Sequence, residues 1–231
     1  MLFRSNGMVD YLGLAEDRAV FDQYLLQIKQ SGPRTHPDRF PDRDHELAYY
    51  VNAYNALVFE GVLARGPEDK SVWRGLISGL NFFTLMDVTL DGRRTNLKKL
   101  EDDVIRGEFQ DPRIHAAINC ASISCPRLPR APFKGDTLQE QLNSAMREFV
   151  NSPQHIRVGK DAVFLSRIFD WFEEDFVTAE LALVDYVNQY RTEAISRDLR
   201  VKFLPYDKGI NQQRDRKSTR LNSSHQIISY A

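Results

Sequence analysis

Residues 111–129, DPRIHAAINCASISCPRLP, hold both cysteines of the chain, Cys120 and Cys125, with His115 five residues before the first thiol. A cysteine attacks as its thiolate, and a neighbouring imidazolium or a helix N-terminus lowers the thiol pKa from about 8.5 by up to several units. His115 is the nearby group for that task. Asn119, four residues further on, can donate to an oxyanion or orient the imidazole, and Glu101 or Asp175 can serve as the third group. The set points to a thiol-dependent hydrolase or acyl transferase acting on a small peptide or amide.

Arg106 and Arg113 flank the segment, and paired guanidinium groups suit a substrate carboxylate such as a peptide C-terminus or a glutathione-like molecule. Trp171, in DWFEEDF, is a secondary candidate for a pocket wall. Asn52 and Asn55, three apart on an apolar helix, cost free energy unless paired, so they either tie down a loop or line the pocket, with the first role favoured. The contrasting reading is a non-catalytic module whose pocket holds a peptide or thiol ligand. In it Cys120 and Cys125 form a structural disulfide across the ASIS loop and His115 satisfies a buried carbonyl. The two cysteines with His115 lack the Cys-x2-Cys spacing and the second ligand pair of a metal site, so no metal and no cofactor is expected. Cys125 precedes Pro126 and the stretch PRLPRAP, which predicts exposure, whereas Cys120 follows an apolar run and is expected inside; Cys125 is therefore expected to react faster.

These residues must be positioned by a largely helical frame. A first helix is predicted over residues 15–30, stopped by Gly32-Pro33, and a second, the most apolar, over residues 44–65, stopped by Gly66-Pro67. Residues 84–90 alternate into an Asp91-Gly92 turn, the signature of a β-hairpin, followed by a short helix capped by Thr95 or Asn96. Asp111-Pro112 suits a helix start, yet the alternation of Ile114, Ala116 and Ile118 equally permits a strand. Asp136 or Thr137 caps a helix through Val150, a second hairpin turns at residues 159–161, Ser166 caps residues 167–176, and a last helix spans 178–191. The expected fold class is α+β: one mostly helical domain, with two β-hairpins around a central apolar helix.

With 231 residues, 42% of them apolar, the chain can bury a core without staples, and Lys plus Arg (31) nearly cancels Asp plus Glu (32). That balance argues against a nucleic-acid partner. No run reaches the roughly 18 apolar residues of a transmembrane span, and two cysteines leave the redox compartment open. Residues 215–231 turn polar and Ser-rich and resemble a translated sequencing read-through; they are expected to be disordered and to lie outside the domain of residues 1–214.

Several stretches resemble one family, the domain of unknown function 547 (DUF547). YYVNAYNAL (residues 49–57) is similar to its FWINAYNAL signature, residues 111–128 to its PRIHFALNCASxSCPxL, and LSRIFDWFEEDF to its LSKIFxWYxxDF; NGMVDYLGL and YDKGIN resemble its flanking pieces. Asp102 stands where the family often has histidine, and Lys208 where tryptophan is usual, so no role for that histidine carries over. The resemblance implies no settled activity. Bacterial relatives are often exported with a signal peptide ahead of the VDY motif, and this chain begins close to that motif, which is the pattern of a fragment lacking its N-terminus. The resemblance also hints at thiol chemistry, because some eukaryotic relatives join the domain to a glutaredoxin-like module.

Overall fold

The structure, a computed structural model, describes residues 7–66, 71 and 80–213. The read-through-like tail and the proline stop after the second helix fall outside the described residues. The fold is α+β and mostly helical, with two small sheets among the described residues.

Helix α1, Tyr11–Glu16, and α2, Ala19–Gln30, replace the single helix expected over residues 15–30. The cause is local: Asp10 accepts the Gly13 N–H at 2.9 Å, starting a helix early and aiming Tyr11 inward, where its hydroxyl donates to Asn211 at 2.9 Å. Helix α3, Arg43–Arg65, is the expected central helix, capped by the Asp42 carboxylate on the His45 N–H and closed by Gly66 at φ 101°. It is buried nearly all round, through Leu47, Val51, Tyr54, Val58 and Val62. Gly61 lets α4, Leu80–Leu85, approach: a Cβ there would stand 2.7 Å from the Phe82 ring. That packing corrects the expected strand over residues 84–90, since Phe82 and Phe83 are both buried as neighbours and Thr84 and Leu85 continue the helix.

The hairpin itself is shorter, β1 Val88–Leu90 against β2 Arg93–Thr95, around Asp91 (φ 50°) and Gly92 (φ 72°). Asn96 caps α5, Leu97–Lys99, which runs on as a π-helical stretch, Leu100–Arg106, whose Gly107 N–H reaches the Asp102 carbonyl at 3.0 Å. The choice left open for residues 112–119 resolves as a 3-10 helix, Pro112–Ala116, with Asp111 accepting the Arg113 N–H. Helix α6, Leu138–Asn151, buries Leu138, Leu142, Met146, Phe149 and Val150.

Strands β3 (Ile156–Val158) and β4 (Ala162–Leu165) make the second hairpin, and β5 (Arg200–Phe203) adds parallel to β4, a strand the sequence reading missed. The segment after Ser166 breaks at Phe172 into α7, Ile168–Trp171, and α8, Glu173–Phe176. The last helix shrinks to α9, Leu183–Asn188. One core cluster gathers around α3; the other lies between α6, the three-stranded sheet and α7 to α9. Ile114 and Ala117 belong to the first and Ala116 to the second, so the turn carrying His115 bridges both.

Candidate active site

The loop between the thiols is built from amides. Asn119 accepts the Ala121 N–H at 2.8 Å and donates to the Pro126 carbonyl at 2.9 Å, while its own N–H donates to Asn55 at 2.9 Å. Those bonds fix Ala121 at φ 61°, a left-handed conformation uncommon for alanine and kept only where the surroundings over-determine it. The returning chain then pins the loop: the Ile123 N–H donates to the Gly209 carbonyl at 2.8 Å, and the Asn211 N–H to the Ala121 carbonyl at 3.0 Å.

This brings the Cys120 and Cys125 sulfurs to 2.6 Å as free thiols, with the Cys120 N–H donating to the Cys125 sulfur at 3.1 Å. The Tyr206 hydroxyl lies 3.2 Å from one sulfur and 3.3 Å from the other. The expected exposures are reversed: Cys125 is buried, at 7% exposure, and Cys120 is only half-buried. The Cys125 N–H donates to the Ser122 carbonyl, which folds the chain back so that Pro126 runs over a covered sulfur rather than into solvent. The hydrogen bond from Cys125 lowers the Cys120 thiol below its ordinary value against the opposing effect of burial, with help from the Ser122 and Tyr206 hydroxyls. Burial, reinforced by the bond to Cys120, pushes the Cys125 thiol well up, and burial keeps Tyr206 a neutral donor.

His115 is 3% exposed, with Nε2 2.6 Å from an Asp175 oxygen and its ring stacked on Phe172 at 4.3 Å between centroids. Arg106 donates to Asp175 at 2.7 and 3.0 Å. Burial alone would raise the Asp175 carboxyl, but the bonds from His115 and Arg106 outweigh it and hold it at about 2. An ionised Asp175 can only accept, which assigns the proton to Nε2 and leaves Nδ1 as the basic nitrogen. Glu101 instead accepts the Tyr54 hydroxyl at 2.7 Å and is raised by burial. Of the two proposed third groups, Asp175 is therefore the one on the imidazole. Among the described residues no hydrogen bond joins His115 to either thiol.

A cavity of about 100 Å³ is lined by Cys120, Cys125, His115, Glu101, Tyr206 and Trp171, among others. Trp171, 41% exposed, forms its wall against Tyr206, ring centroids 4.7 Å apart. The other predicted residues lie elsewhere. Asn119 is spent on the loop. Arg106 is committed to Asp175, Asp102 and Glu174, and Arg113 to Asp111, Asn143 and Gln139, so neither faces the thiols as a carboxylate receptor. Asn52 exchanges two hydrogen bonds with the Phe133 backbone, and Asn55 donates to the Ala117 carbonyl at 2.9 Å, both structural. Tyr54 and Tyr206 were missed; the signal available for Tyr206 was its place as the first residue of the YDKGIN stretch. Among the described residues no group of three or more His, Cys, Asp or Glu side chains is arranged to hold a metal ion. No described helix is long and apolar enough to cross a membrane.

A paired-thiol pocket on a mostly helical α+β frame is thus the class of protein in hand. Residues 37–150 match the family described as "Protein of unknown function, DUF547", and the chain is a DUF547 domain-containing protein. The match contains α3, His115 and both cysteines, whereas Asp175 and Tyr206 lie beyond it. No curated protein and no solved structure matches the chain.

Proposed function

We propose that this pocket performs thiol-dependent acyl transfer, hydrolysis included, on a small peptide or amide, with Cys120 as nucleophile. The observation that carries the reading is one cavity shared by an acidified, half-buried thiol and an imidazole held by a carboxylate. The Cys120 thiolate adds to the substrate carbonyl carbon, and the Tyr206 O–H donates to the resulting oxyanion. Collapse expels the amine, which takes from His115 Nδ1 a proton that the imidazole has accepted from solvent, replacing the one Cys120 gave up to solvent on ionising, and leaves a thioester on Cys120. Water then gives a proton to Nδ1 as it attacks the thioester, releasing the acid and the thiol. Asp175 keeps the imidazole in the tautomer this requires. Cys125 supports Cys120 as hydrogen-bond donor and does not attack the substrate carbonyl.

The test is acyl-enzyme trapping with small 4-nitrophenyl esters and N-acyl 4-nitroanilides, read by peptide mass mapping. An acyl group on Cys120, lost in Cys120→Ser and slowed about 100-fold in Asp175→Asn, is expected. A chain that binds such compounds reversibly without ever carrying an acyl group on Cys120 is a binding module instead.

A further inference from the structure

The acyl chemistry uses one sulfur, yet the fold uses the loop from Cys120 to Cys125 and a pinning segment to hold a second beside it. We propose that Cys120 and Cys125 form a redox-active dithiol that exchanges with small aliphatic disulfides, Cys120 attacking and Cys125 resolving. The inference shares with the proposed function only the assignment of Cys120 as the nucleophile.

Exchange needs an accessible, ionisable attacking thiol and a second thiol within reach that stays protonated until the mixed disulfide exists. Cys120 is the half-buried member, Cys125 the buried one, and their sulfurs are 2.6 Å apart. Two groups wait for the charge that moves between them: the Tyr206 hydroxyl touches both sulfurs, and the Cys120 N–H already donates to the Cys125 sulfur at 3.1 Å. The left-handed Ala121, fixed by Asn119 and Asn211, holds the loop in a shape where neither thiol has to travel. The cavity of about 100 Å³ admits one thin arm of a disulfide, not a folded partner.

In the first step the Cys120 thiolate attacks one sulfur of R–S–S–R, that bond breaks, and RS⁻ leaves and takes a proton from solvent. In the second, Cys125 gives up its proton to solvent and attacks the Cys120 sulfur of the mixed disulfide, and the second RS⁻ leaves and is protonated. The dithiol is oxidised by two electrons, the small disulfide is reduced to its two thiols, and an external dithiol such as dithiothreitol restores the starting state.

The experiment treats the full chain with bis(2-hydroxyethyl) disulfide at pH 7, following released 2-mercaptoethanol and intact mass. The wild type should release both halves of the probe and end with an internal disulfide and no adduct. Cys125→Ser should release one half and keep the other on Cys120, and Cys120→Ser should react at least about tenfold more slowly than the wild type. A stable adduct on the wild type, first attack at Cys125, or no reaction in a chain that reacts once denatured would each overturn the inference. Exchange without any acyl-enzyme sinks only the acyl proposal, and an acyl-enzyme without exchange sinks only this one.

Discussion

Asn52 and Asn55 on α3 and Cys120 and Cys125 in the loop are both polar pairs set among apolar neighbours, and they are used in opposite ways. The amides are spent on backbone: Asn52 on Phe133, and Asn55 on Ala117 and Asn119. The thiols bond mainly to each other and to Tyr206, and they face a cavity. A buried polar group whose valences are all filled by backbone holds the fold, whereas one whose partners are other titratable groups at a cavity wall is poised for chemistry. Asn55 is the link between the two regions, because its side-chain amide oxygen accepts the N–H of Asn119, the residue that shapes the thiol loop.

The contrast can be broken most forcefully at Asn55. Asn55→Ala leaves the Ala117 carbonyl and the Asn119 N–H without partners in a buried setting, so urea unfolding should show a loss of about 2–4 kcal/mol. Cys120→Ser should change that midpoint far less.

An acid limb comes next. Burial lowers the His155 imidazole from 6.5 to about 4, so the unfolded chain binds a proton that the folded chain refuses. The associated stability is complete above about pH 6.5 and is lost as pH falls toward 4, on the order of 3 kcal/mol in all. Urea midpoints taken across that window should fall in the wild type and flatten in His155→Gln; an equal slope in both would remove His155 from the account.

A smaller effect separates the sources of thiol acidity. Because the Cys125 hydrogen bond is the largest influence lowering Cys120, Cys125→Ala should move the alkylation midpoint of Cys120 upward, toward the free-thiol value. His115→Ala, the smallest perturbation of that midpoint, should leave it in place, since the imidazole is bonded to Asp175 and not to sulfur. A large upward shift in His115→Ala would restore the direct activation first expected from sequence spacing.

Much of the frame was legible because its causes are local. The apolar stripe of α3, the Asp91-Gly92 turn and the Asn96 cap each depend on residues a few positions apart. The misplaced pieces depend on distant partners. Residues 84–85 alternate like a strand but continue α4 because Phe82 packs against Gly61. β5 pairs with β4 across a long separation and carries only a weak pattern of its own. Within the site, Cys120, Cys125 and His115 were legible as neighbours in one stretch, and Asp175 as one of two carboxylates. The order of burial of the thiols was not, because it is set by a backbone reversal at Ser122 and by a returning segment some ninety residues later. Arg106 and Arg113 misled for the same reason, since their carboxylate partners sit in the folded chain and not in a substrate.

The central claim, that Cys120 is the reactive thiol of a paired-thiol pocket, is tested most directly by limiting iodoacetamide on the reduced native chain at pH 7, with the label located by peptide mass mapping. The account predicts label on Cys120 well ahead of Cys125, and equal labelling of both once the chain is unfolded. Label arriving first on Cys125, or both thiols inert in the reduced native chain, would contradict it.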